Sequence, residues 1–122
     1  MSKLNPVEML EALEAQKEAA NADIEFAVRV NRLLANPDFR HVILDTYCVK
    51  EAAAFVHTSA DPILKPEQRA DALSMAQATG HLKRWLRVVE LKADQAKDRL
   101  PEIDEHLEAV RYEIDNPSTD SE

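Results

Sequence analysis

Ten apolar residues, Leu82, Leu86, Val89, Ala93, Ala96, Leu100, Ile103, Leu107, Val110 and Ile114, alternate by four and three along the second half of the chain without a miss. That spacing draws one stripe along a helix and leaves it in water unless another helix covers it, so it predicts a long helix and a mate for it. The mate is present near the start. Leu10, Leu13, Lys17, Ala20, Ile24, Ala27, Asn31 and Leu34 follow the same alternation, with Lys17 and Asn31 as polar exceptions. Antiparallel pairing with facing residue numbers summing to about 120 sets Ala20 by Leu100, Ile24 by Ala96, Leu13 by Leu107 and Leu34 by Leu86. Large meets small in the first two pairs, as interdigitating helices require. An overlap of ~28 residues at the helical rise gives a stem of ~40 Å.

Turn chemistry excludes most other architectures. The chain has one glycine in 122 residues, so tight hairpins and glycine-rich phosphate loops have no material to form from. Proline and asparagine supply the punctuation instead. Asn5-Pro6 and Asn36-Pro37 each place a capping side chain before a proline that fits the first helical position, opening helices at Pro6 and Pro37. The first should run to about Ala35, and the second to between His57 and Ser59, carrying Phe39, Val42, Ile43, Tyr47, Ala53 and Val56 inward. Asp61-Pro62 and Lys65-Pro66 then mark a connector with room for one helical turn. A third helix runs from Pro66 to about Asp115, and the unchanged stripe phase across Pro101 predicts a kink there rather than a break.

The expected fold is all-α: one domain with a long antiparallel two-helix coiled-coil stem, residues 6–35 with 86–115, and a small helical head, residues 36–85. In the head Leu73, Met75, Leu82 and Trp85 should cover the second helix. Residues 116–122, rich in Pro, Ser, Thr and acids, read as a disordered tail.

Charge narrows the partners. The net charge is −8 and is unevenly spread: residues 1–28 and 98–122 hold 15 acids against 4 bases, while 29–97 hold 11 bases against 8 acids. Such a balance argues against nucleic acid as a partner. The single cysteine, Cys48, cannot form an internal disulfide, and neither a signal core nor a membrane-length apolar run occurs, so a soluble protein of a reducing compartment is expected.

Several residue sets invite chemistry. His41, Asp45 and Cys48 at i, i+4 and i+7 would share a face of an α-helix, but a zinc site or an activated thiol needs a further convergent group. Asp94, Asp98, Glu102 and Glu105 form an acidic stripe best explained by solvation. No enzyme activity, metal or cofactor is expected. His81, Lys83, Arg84, Arg87 and Lys92 surround Trp85 in the only basic–aromatic cluster, and Trp85, next to the stripe residue Leu86, is expected to be buried. Arg40, Lys83, Arg84 and Arg87 are the candidate partner-binding residues. Gly80 lies mid-helix, where glycine costs ~1 kcal/mol relative to alanine, and close approach of the second helix is the preferred offset over a functional hinge.

The central stretch Asn36-Pro37-Asp38-Phe39, Val42-Ile43, Tyr47, Glu51-Ala52, Phe55-Val56, Ala60-Asp61-Pro62, Gly80-His81-Leu82 and Trp85-Leu86-Arg87 resembles small helical proteins of tailed bacteriophages encoded among head and assembly genes. The resemblance covers residues 30–90; at the position before Tyr47, where that pattern has glycine, this chain has Thr46. It implies a non-enzymatic virion or assembly protein, located in the virion or host cytoplasm, whose partner is a capsid, portal or other assembly protein. It carries over no catalytic residue. Self-association is expected too, because Phe26, Val28, Val30, Leu91 and Tyr112 fall off the stripes and need cover. The alternative is a host-directed inhibitor or acidic DNA mimic, drawing on the acids of the two terminal segments.

Overall fold

A computed structural model of the chain describes residues 4–117, all of them helix or connector, with no strand among them. Most of the tail expected at 116–122 thus lies outside the described residues. Helix α1 spans Pro6–Ala35. A single extended residue, Asn36, separates it from a continuous helical run made of α2 (Pro37–Phe39), a π-helical segment (Arg40–Glu51) and α3 (Ala52–Ser59). Helix α4 spans Pro66–Asp115.

The starts are fixed by side chains that satisfy orphan amides. Asn5 Oδ1 accepts from the Glu8 amide at 2.8 Å while Glu8 Oε1 accepts from Asn5 Nδ2 at 3.1 Å. Asn36 Oδ1 accepts from the amides of Asp38 and Phe39. Gln68 reaches back to accept from the Lys65 amide at 3.1 Å, one half of a capping box at the start of α4. The Asp61–Lys65 connector is turn and bend, not the expected helical turn: Asp61 Oδ1 accepts from the Ile63 amide and so closes the chain locally before a helix can start.

Contacts divide the chain into two compact units, one of Met1–Ala27 with Leu91–Glu122 and one of Val28–Glu90. In the first unit α1 and α4 pair antiparallel. Leu13, Ile103, Leu107 and Val110 form its core, with Leu10 and Ile114 against it, so Leu13 meets Leu107 as the stripes require. Ala20, Ala27, Ala93 and Ala96 are buried between the helices and permit close approach. Helix α4 runs through Pro101, which is exposed, so the carbonyl four residues back loses its amide donor on a face where water replaces it. Two ion pairs bridge one flank, Lys17 Nζ to Asp104 Oδ1 at 2.6 Å and Arg111 to Glu14 at 3.6 Å. Their side chains are about half exposed, and such pairs contribute at most about 1 kcal/mol each. One fully buried leucine contributes about 2 kcal/mol or more, so the apolar seam dominates.

In the second unit the buried side chains are Val30, Cys48, Ala72, Thr79 and Val89. Thr79 is satisfied by donating its hydroxyl to the Ala76 carbonyl at 2.8 Å. The helical run 37–59 turns inward Phe39, Ile43, Leu44, Tyr47, Cys48, Ala52 and Phe55. Those positions advance by more than four residues per turn through the π segment, whose hydrogen bonds close five residues back. Thr46 donates its hydroxyl to the His41 carbonyl, also five back, at 2.7 Å.

Several expected core positions are corrected as a result. Val42, Ala53 and Val56, placed inward by an α-helical period, are exposed, because the wider π turn moves the inward face onto Leu44, Cys48, Ala52 and Phe55. Leu73, Met75 and Trp85 of α4 are exposed as well, the inward stripe running instead through Ala72, Ala76, Thr79, Leu82 and Leu86. On α1 the stripe steps three residues from Ala27 to Val30; Val30 is buried and Asn31 is exposed, the reverse of the expected order.

Candidate partner-binding surface

The sole glycine has no packing duty. A Cβ added to Gly80 would meet nothing within 4 Å, which overturns the expectation that the second helix approaches it closely. On an α-helix Gly80, Lys83, Arg84 and Arg87 stand at i, i+3, i+4 and i+7 and share a face. All four are exposed in the second unit. The result is a bare strip of backbone bordered by three cations.

The rest of the basic–aromatic cluster disperses. Trp85 is 51% exposed rather than buried, and at two residues from both Lys83 and Arg87 it points away from them around the helix. His81 falls on the Trp85 side, and Lys92 belongs to the first unit. Arg40 is exposed at the start of the π segment, on a different element. Trp85 therefore stands apart from Lys83 and Arg87, with His81 between it and Arg84 on the helix surface.

The other candidate chemistry separates too. Cys48 is buried while His41 and Asp45 are exposed, since a π turn breaks the i, i+4, i+7 alignment they would have on an α-helix. Asp94, Asp98, Glu102 and Glu105 are all exposed. Among the described residues no group of three His, Cys, Asp or Glu side chains could hold a metal ion, and no helix is long and apolar enough to cross a membrane.

Two open grooves lie along one flank of the α1–α4 pair. One, of about 270 Å³, is lined by Ala19, Ala20, Asp23, Arg99, Glu102 and His106 among others. The next, of about 460 Å³, is lined by Met9, Leu13, His106, Ala109, Val110 and Glu113. Sharing His106, they form one trough on the flank opposite the two ion pairs. The heptad stripe does not reveal it, because most of its residues sit beside the seam rather than on it; the secondary stripe Met9, Leu13, Gln16, Ala20, Asp23 is the available signal.

The exposed glycine yields a sign test. Gly80→Ala should stabilise the protein by about 1 kcal/mol, since alanine lowers the backbone entropy cost and the added methyl meets open space. Thermal unfolding measures it; a loss of stability would mean that the face is packed.

No family model, no curated protein and no solved structure matches the chain.

Proposed function

We propose that the chain is a non-enzymatic structural or assembly protein of a tailed bacteriophage that binds a capsid, portal or other assembly protein through the Gly80–Arg87 face and works as an oligomer. The observation that carries the docking face is Gly80 itself. A residue that weakens its helix by about 1 kcal/mol with no intramolecular neighbour is explained by an outside surface that must come close to the backbone. Lys83, Arg84 and Arg87 around it supply charge for encounter and orientation, and Arg40 adds a further exposed cation in the same unit. The phage assignment draws on the resemblance across residues 30–90, and the localisation in virion or host cytoplasm follows from it.

Lys83→Glu with Arg87→Glu should leave helical content unchanged and weaken association with phage particles or their precursors, read by co-sedimentation. Gly80→Leu should do the same by filling the bare strip. Undiminished particle association in both variants would reject this face as the docking surface. Mass spectrometry of purified particles and precursors tests the phage role directly, and absence of the chain from both would reject it.

A host-directed acidic mimic is the second reading. It is favoured by the acids of the first unit, of which only Glu14 and Asp104 are in ion pairs among the described residues. That reading requires competition with DNA for a DNA-handling enzyme.

A further inference from the structure

We infer that the His106 trough of the first unit is the surface on which a second copy of this chain docks, antiparallel, with His106 on the two-fold axis. The inference deepens the oligomer reading above by naming the surface.

The two flanks of the α1–α4 pair differ. One is bridged by Lys17–Asp104 and Glu14–Arg111. The His106 flank has no such bridge among the described residues, and its floor is apolar, with Leu13, Ile103 and Val110 bordering the trough. Ala19, Ala20 and Ala109 keep its walls low enough for another helix to enter.

The trough is lined by Asp23, Glu102 and Glu113 against Arg99, and one of these acids is placed to meet that arginine across a two-fold axis. Arg99 and Glu113 lie seven residues either side of His106, two helical turns in each direction, and all three line the trough. A two-fold axis through His106, perpendicular to the helices, therefore sets Arg99 of each copy against Glu113 of the other. Neither has an ion-pair partner within the chain among the described residues. A two-fold interface uses each such contact twice, which is why one arginine and one glutamate suffice.

Surface area agrees. The chain exposes 9574 Å², whereas a folded monomer of 13.8 kDa exposes about 6,600 Å² by size scaling. The eight residues outside the described range account for at most about 1,300 Å² of that difference, the value for a fully extended chain. A two-chain interface of ordinary size covers about 800 Å² of each chain, so the roughly 1,700 Å² that remains is about twice what one such interface needs.

The test uses the full-length chain. Light scattering should give twice 13.8 kDa. Arg99→Glu should raise the dimer dissociation constant about tenfold or more while circular dichroism stays unchanged, and Arg99→Glu with Glu113→Arg should restore it. In a Cys48→Ala background His106→Cys should form a disulfide between copies, since a residue on a two-fold axis meets itself. A monomer at all concentrations would overturn both the oligomer reading and this surface. A dimer indifferent to Arg99→Glu, or one in which His106→Cys does not couple to itself, would overturn this surface and leave the oligomer reading standing.

Discussion

Leu107→Ala should destabilise the protein by about 3 kcal/mol, within the range measured for leucine truncations in closed cores. Leu107 is the one large side chain whose exposure falls below 2% among the described residues, and it sits among Leu13, Ile103 and Val110. The loss has two parts: the transfer free energy of the removed methyl groups, and a cavity that two long helices cannot close without losing the contacts on either side. Chemical denaturation reads it as a lower midpoint at unchanged slope. A change below about 1 kcal/mol would mean that the seam is looser than its burial implies.

Ala96→Leu should be nearly as damaging for the opposite reason. Ala96 is 0% exposed, and the small side chain is what lets α1 and α4 approach at that level. A leucine there must push the helices apart or take a strained rotamer, at a cost of about 1–3 kcal/mol. Ala22 of α1 is exposed, so Ala22→Leu serves as the matched control and should change stability by less than about 0.5 kcal/mol. Equal effects of the two substitutions would refute close packing at Ala96.

Legibility follows the helical period. All ten stripe positions of α4 from Leu82 to Ile114 are buried or half-buried, because an unbroken α-helix carries a 3.5-residue repeat faithfully in sequence and in space. The helix starts at Pro6, Pro37 and Pro66 are legible for a local reason: capping side chains and proline act within one turn. Where the period changes, inference fails. No residue type in Arg40–Glu51 announces a π turn, so an α-helical rule turns Val42 inward where it does not apply and carries the wrong phase on to Val56 in α3. Trp85 and Gly80 mislead for another reason. Tryptophan usually seeks cover and mid-helix glycine usually marks close packing, yet both residues face outward here. The proposed docking face is half legible: Lys83, Arg84 and Arg87 stand out in composition, whereas the bare backbone beside them depends on the absence of a neighbour, which sequence does not encode.

Lys17 gives the helix pair an alignment code. Heptad stripes are translationally degenerate, so sliding α1 past α4 by seven residues would again set apolar rows face to face. In the folded protein Lys17 meets Asp104. A slip of one heptad in one direction would bring Lys17 to Lys97, and in the other to Arg111. Each misalignment exchanges an attraction for a repulsion between cations, so a bridge that adds little to the depth of the native state still widens its gap from the nearest competitors.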